Sequence, residues 1–307
     1  MQGIFLFFKP IGWTNKHILG FLKRTLNAPK LGHAGTLDPF AEGLMVVAVG
    51  RKFTRKLHTL LTASTKEYIT TIELGASTDT FDHTGTITRS SSEYQPSLEK
   101  ITTAIEANFV GERTQVPPVY SAKKIFGKRL RDIATKEEAL ALAVSRAKTV
   151  ALHDYAIISY DYPRLVIRLA VSSGYYIRTF GSDLGTLLGT GAHLTALKRT
   201  RINGYLADDA LSPDDLEHTL EVAGTFVGAV QGVGFRYFIQ ELAERYQLTG
   251  HARNAHDGSV SFVAQGNLQS ISRFLTFVDG GPALTRIEDY LFVIRKPRES
   301  FPVFTVQ

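Results

Sequence analysis

Cysteine is absent from the 307 residues, which removes disulfides, thiolate-bound zinc and a cysteine nucleophile together. A chain of that kind suits a reducing compartment, so the cytoplasm is the expected location. Long apolar runs are missing too. The opening "MQGIFLFFKP" holds five consecutive apolar residues, with no basic leader and no small-residue cleavage site, so it does not read as a signal peptide. Nothing elsewhere approaches the roughly 20 residues of a membrane span. No internal repeat or low-complexity tract is visible.

What the chain does have is length and a lopsided charge. At roughly 150 residues per domain, two domains are expected. The formal net charge is +6. Residues 1–58 carry nine Lys/Arg against two acids, or +7, residues 59–221 carry 18 against 20, and residues 222–307 carry 8 against 7. The excess gathers at the N-terminal end, where it can draw in a polyanion by counterion release. Lys123, Lys124, Lys128, Arg129 and Arg131, and then Lys198, Arg199 and Arg201, extend that track or form a solvated surface.

Strands and helices alternate irregularly, which predicts a mixed sheet. "GIFLFFKP" reads as a strand stopped by Pro10, and Thr14 as the cap of a helix reaching Leu26. "GLMVVAVG" and "KEYITTIELG" read as strands, "SLEKITTAIEANFVG" as a helix capped by Ser97, and 148–160 with 164–173 as a hairpin around Tyr162-Pro163. "YYIRTFGSDLGTLLG" reads as a helix, and "SPDDLEHTLE", with Ser as cap and Pro at the first position, predicts another. From about residue 222 the pattern is strand, helix (236–247), strand, strand (259–264), helix (267–278) and strand (286–294), a ferredoxin-like βαββαβ unit, with "FPVFTV" prolonging its edge. The expected domains are therefore 1–221 and 222–307.

In "KLGHAGTLDPFAEG", Asp38 stands between a leucine and a proline in a glycine-rich turn. One nearby histidine, His33, is too few ligands for a metal site, and no nucleophile elbow accompanies it as a triad would need. A capped turn explains an isolated "LDP" equally well. The longer string does more. "GHAGTLDPFAEG", together with "FKPIGWT", "TKEYITTIELGASTDTFDHTG", "TQVPPVYSAKKIFGKRL", "SSGYYIRTFGSDLG" and "AHLTALKRTRI", resembles the motif series of the TruB family, the tRNA pseudouridine-55 synthases, in order across residues 3–205.

That resemblance implies an α+β pseudouridine synthase fold, a mixed antiparallel sheet with a central cleft, and an isomerisation of uridine in the tRNA T-stem loop without cofactor or metal. Asp38 falls on the family's catalytic aspartate and Arg178 on the arginine that pairs with it. Tyr68 falls on the aromatic that stacks on the target base, and Tyr176 lies against the uracil from another side. His33 matches the histidine that organises the flipped loop, and Lys9 belongs to the N-terminal Lys-Pro motif. The pattern is broken at Arg131 and Thr135, where the family has Tyr and Arg, and mildly at Asn15, which replaces a serine. Bacterial members commonly end in a PUA-type RNA-binding domain, and the tail of this sequence does not look like one.

Its tail, Val230 to Gly266, resembles acylphosphatase instead. Backbone amides from Gly232 through Gly234 to Arg236, at the start of a helix, form a phosphate cradle; Arg236 adds charge-assisted bonds. Asn254 is in position to hold an attacking water. The resemblance implies a site for a small acyl phosphate, which the chain either hydrolyses or has converted to gripping an RNA phosphate. Three functions follow: an isomerase with an added hydrolase, a tRNA-binding or folding module without chemistry, and a hydrolase on an RNA-binding scaffold. The intact Asp38, Tyr68 and Arg178 favour the first, acting as a monomer with no membrane partner.

Overall fold

The structure, a computed structural model, describes residues 1–28, 30–61, 64–90, 94–118, 124–125, 128–129 and 136–307. Lys123, Arg131 and Thr135 lie outside the described residues, as do the side chains of Lys124, Lys128 and Arg129.

In chain order the elements are β1 (Gly3–Lys9), α1 (Asn15–Thr25), β2 (Leu31–Ala34), β3 (Glu42–Val49), α2 (Arg51–Leu61), β4 (Lys66–Leu74), β5 (Ala76–Thr78), β6 (Ile87–Ser90), α3 (Leu98–Asn108) and β7 (Gly111–Gln115). They continue with the short β8 (Lys124–Ile125) and β9 (Lys128–Arg129), then α4 (Lys136–Val144), β10 (Lys148–Asp161), β11 (Arg164–Val171), α5 (Ile177–Leu187), β12 (Ala192–Ile202) and β13 (Tyr205–Leu206). The last are β14 (Leu220–Ala229), α6 (Phe235–Arg245), β15 (Thr249–Asn254), β16 (Val260–Gly266), α7 (Leu268–Phe277), β17 (Arg286–Arg295) and β18 (Phe304–Val306). No helix among the described residues is long and apolar enough to cross a membrane. The chain divides into two compact units, one of residues 1–37, 43–61 and 205–307, the other of residues 38–42 and 62–204.

In the first unit the strand order is β18-β15-β16-β14-β17-β1-β3, with β2 paired to β3. β14, α6, β15, β16, α7 and β17 form the βαββαβ unit. β17 continues into β1 by parallel pairing, Ile4 opposite Val293 and Phe5 opposite Ile294. Phe226, Phe262, Phe274 and Phe292 fill the core between sheet and helices. Gly224 has no side chain because a Cβ there would meet the Phe262 ring at 2.1 Å. On α2 the residues Phe53, Leu57 and Leu61 are buried at a four-residue repeat. Phe53 packs on Tyr290 and Phe292 of β17, Lys52 lies 3.1 Å above the Tyr290 ring, and Lys56 pairs with Asp289.

Two expectations change here. The helix predicted over 212–221 is one 3-10 turn, Asp214–Glu217, in which the Asp215 carboxylate accepts from the Ser212 amide and hydroxyl at 2.7 and 2.6 Å. The helical signals are local, but Leu220 and Val222 enter the sheet opposite Gly266 and Ala264, and pairing with burial overrides them. The glycine-rich stretch before Asp38 contains β2, in register with Val46 to Val49. Gly32 admits α2 there, since a Cβ would meet Thr54 at 3.2 Å.

The second unit is an antiparallel sheet, β12-β4-β11-β10-β7. β4 alternates strictly, burying Tyr68, Thr70, Ile72 and Leu74 on the face that also carries Lys66. α5 packs on β12, and Phe180 meets Phe109, the residue that ends α3, at 4.7 Å. Together the units make an α+β chain with a mixed sheet.

Candidate active site

Asp38 opens a turn closed by Ala41 N–H on its carbonyl at 3.1 Å, with Pro39 in the position that suits proline's fixed φ. Just before it, the Asn15 amide holds both polar groups of the Leu37 backbone, donating to its carbonyl at 3.0 Å and accepting from its N–H at 3.3 Å. The Asp38 carboxylate meets Arg178 side-on: Nε lies 2.9 Å from Oδ2 and Nη2 3.3 Å from Oδ1. The third guanidinium nitrogen, Nη1, donates to Asp82 Oδ2 at 3.2 Å and to the Thr80 carbonyl at 2.9 Å.

Asp82 is fixed in turn, its Oδ1 accepting from Thr80 Oγ1 (2.9 Å), Thr84 N (3.0 Å) and Thr84 Oγ1 (2.5 Å). Two carboxylates thus share one guanidinium, leaving a net negative charge in a mostly desolvated cluster. The side chains of Arg178 and Asp82 are 6% and 5% exposed, that of Asp38 29%. The more accessible carboxylate is therefore Asp38, oriented by an Arg178 that Asp82 holds in place.

Arg178 is in the first turn of α5, and a backbone latch sets where that helix begins. Gln115 Oε1 accepts from the Tyr176 N–H at 2.7 Å, and Gln115 Nε2 donates to the Tyr176 carbonyl at 2.9 Å. Tyr68, on β4, receives a long bond of 3.5 Å from Arg199 Nη1, and the Arg199 guanidinium, fully buried, lies 6.0 Å from the Tyr68 ring centre. Lys66 donates to Ser173 Oγ at 3.2 Å. Burial first, and then the Arg199 charge, push its amine down to about 8.

Lys9 and His33 belong to the other compact unit. Lys9 ends β1 opposite Gly43, buried, its Nζ donating to the Pro10 carbonyl at 3.0 Å. His33 lies on β2 opposite Val47. Sequence reading missed Asp82, Gln115 and the Asn15 clamp. "TDTFDHTG" does carry a signal, a carboxylate flanked by threonines able to bond it, whereas Gln115 has none.

The second cluster is local. The loop after β14 enters α6 through Gly232 and Gly234, both left-handed at φ 74° and 77°, where a side chain would strain the backbone although space is open. This turns the first amides of α6 toward solvent at the positive end of the helix. Gln231 ties the loop to the hairpin after β15, donating to the Ala255 and Ser259 carbonyls at 2.9 and 2.8 Å. Arg236, in the first turn, donates to the Gln307 carbonyl at 2.6 Å. Asn254, exposed, ends β15 opposite Val260. Helix-start amides, one guanidinium and one carboxamide are the polar groups of this stretch.

Comparison with known proteins follows the same division. The family models described as TruB family pseudouridylate synthase (N terminal domain), tRNA pseudouridylate synthase B C-terminal domain, and Acylphosphatase match residues 23–177, 178–226 and 222–306. The tRNA pseudouridine synthase B of Chlamydia pneumoniae is 40% identical over 217 residues, covering 71% of this chain and 89% of that protein. Among solved structures, a Cbf5-Nop10-Gar1 complex matches with a TM-score of 0.52 at 28% identity, over 70% of this chain and 53% of that one. An H/ACA RNP bound to a substrate RNA containing 2′-deoxyuridine matches at 0.51 and 26%, over 70% and 52%. The chain belongs to the TruB family of pseudouridylate synthases, and it carries an acylphosphatase domain at its end.

Proposed function

We propose that the chain converts uridine 55 in the T loop of tRNA to pseudouridine, with Asp38 as the catalytic group. The observation that carries this is the two-point pairing of a partly exposed Asp38 with a buried Arg178 that is itself backed by Asp82. Three routes are open to a fixed carboxylate: attack on the base, attack on the ribose, or initial removal of a ribose proton. Each needs the ionised form that Arg178 favours. The C1′–N1 bond breaks, uracil turns, C5 bonds to C1′, the C5 proton leaves to solvent, and N1, freed from the ribose, takes up a proton in its place. Tyr68 and Tyr176 are assigned to the faces of the base, Tyr68 also to proton movement, and His33 to the displaced loop. Lys9 is read as shaping the cleft from the Lys-Pro motif. Cytoplasmic work as a monomer, without cofactor, accords with the reading. The test is tritium release from C5-labelled, unmodified tRNA, with the product located by mass after carbodiimide adduct formation, since isomerisation alone leaves the mass unchanged; failure to modify the T loop overturns the proposal.

A second activity is supported by a specific feature, the left-handed Gly232 and Gly234 ahead of Arg236. Residues 222–307, taken as a domain in the place of a PUA-type tail, are read as hydrolysing small acyl phosphates: Arg236 and the α6 amides hold the phosphoryl group, and Asn254 places the water. Release of phosphate from benzoyl phosphate by the full-length protein checks it.

A further inference from the structure

Outside both sites, α1 carries a surface that neither activity uses. An open cleft of about 590 Å³ is lined by Trp13, Lys16, His17, Gly20, Phe21 and Arg24, with Pro213 at its side. The spacing resolves it into two rows. Trp13, His17 and Phe21 recur every four residues as a row of rings, and Lys16, Gly20 and Arg24 recur every four as a parallel row with a cation at each end. At 1.5 Å per residue the backbone positions of the two cations stand about 12 Å apart along the helix axis, and the Arg24 guanidinium reaches back toward Gly20. Trp13 meets Phe21 edge-on at 5.6 Å, and Phe21 leans on Phe7 of β1 at 6.1 Å, so the rings are seated while remaining half exposed. No acidic side chain lines the cleft, and none stands in the first turn of α1.

Gly20 points to a use for this space. It sits inside the helix with ordinary helical backbone, where glycine costs up to about 1 kcal/mol relative to alanine. Packing does not require it, because an added Cβ would meet only the end of Arg24, at 3.6 Å. Helix stability and close packing therefore both leave Gly20 unexplained. Keeping the cleft open between its two cations explains it.

We infer that the α1 cleft binds an unpaired nucleotide of the RNA substrate, its base stacked on the Trp13 ring with its edge against Phe21 and its flanking phosphates held by Lys16 and Arg24. Rings beside cations with no hydrogen-bonding pattern for one base are what single-stranded RNA requires, and stacking is worth about 1–3 kcal/mol per base. The inference rests on the reading of the chain as a tRNA-modifying enzyme. It places a contact to an unpaired part of that RNA on α1, through side chains other than those of the Asp38 cluster.

Trp13 is the chain's single tryptophan, so its fluorescence reports on the cleft alone. Full-length protein titrated with hexa-adenylate should show saturable quenching that weakens with salt and is competed by unmodified tRNA. Gly20→Leu fills the cleft and should weaken full-length tRNA binding about tenfold, but binding of a blunt-ended T-arm hairpin by no more than about twofold. Gly20→Ala, which should raise the melting temperature, controls for folding and should weaken tRNA binding by a smaller factor. If tRNA is bound and isomerised with Trp13 emission unchanged, or if Gly20→Leu binds tRNA like the parent, the inference is wrong. Equal quenching by poly-glutamate would replace RNA with an acidic peptide and also overturn it. Absence of isomerisation with quenching intact would instead count against the proposed reaction.

Discussion

The Asp38 cluster joins side chains 96 and 140 positions apart in sequence, whereas the proposed phosphate cradle is written almost wholly within residues 230–236. The first is made of charges, two carboxylates around one buried guanidinium, and exists only once the sheet and α5 are in place. The second is made of backbone amides whose direction is set by two glycines. A site of the first kind fails when any one partner is lost, because the remaining charges are left poorly compensated in a desolvated place. A site of the second kind tolerates side-chain changes and depends on the one arginine that adds charge.

The sharpest way to break this contrast is Asp38→Asn. It keeps the shape and removes the ionised oxygen, so pseudouridine formation should fall by roughly 10³-fold or more while tRNA binding stays within about twofold. Appreciable tritium release by that variant would defeat the catalytic assignment.

Next come the partners. Asp82→Asn should reduce turnover by about 10²-fold, since Arg178 loses one of its two carboxylates and with it the orientation of its Asp38 face. Arg178→Lys should be at least as impaired, because an ammonium cannot make the side-on pair and reach Asp82 as well. If Asp82→Asn retained parental turnover, the cluster would reduce to an Asp38–Arg178 pair, and Asp82 would be structural.

In the cradle the expected losses are more selective. Arg236→Ala should lower benzoyl phosphate hydrolysis by about 10²-fold through both binding and rate, and Asn254→Ala should lower kcat by about tenfold with little change in KM. Pseudouridine formation should be unaffected in both. Weakened tRNA binding by Arg236→Ala, with no hydrolysis by the parent protein, would mean that the cradle holds an RNA phosphate instead.

The same contrast explains what was legible in the sequence. The βαββαβ order and the two left-handed glycines ahead of α6 are local patterns, and periodicity with glycine placement recovers them. Thr14 and Ser97 announce their helices because capping is a matter of a few adjacent residues. Asp38 and Arg178 stood out through the motif series; nothing at either position alone specifies the other. Asp82 and Gln115 escaped because their roles are tertiary: one completes a pair through an arginine 96 positions away, the other latches a backbone 61 positions on. The false helix at 212–221 is the reverse case, where strong local signals yield to the burial of Leu220 and Val222 in a sheet. Asn15 reads as a mild replacement for serine, yet its longer amide reaches the Leu37 backbone on both sides, which a serine hydroxyl could not do.

The smallest expected effect concerns Lys66, two residues before Tyr68 on the same face of β4. Its amine is pushed down to about 8 in the folded protein, by burial and then by Arg199, whereas in an unfolded chain a lysine titrates near 10.4. Between those values the unfolded state binds the extra proton, so this group makes stability rise with pH across that window. Below about 8 both states carry the proton, and the folded state bears the full cost of a desolvated cation beside Arg199. Lys66→Met should therefore stabilise the protein at pH 7 by about 1–3 kcal/mol, with the advantage fading toward pH 10.5. An RNA phosphate near Lys66 would favour its charged form, so tRNA binding should take up a proton near pH 8 and weaken as pH rises to about 9.5. Melting curves of Lys66→Met and its parent at pH 7 and 10 decide the matter, and a gap that does not change with pH would show that Lys66 is solvated like an ordinary surface lysine.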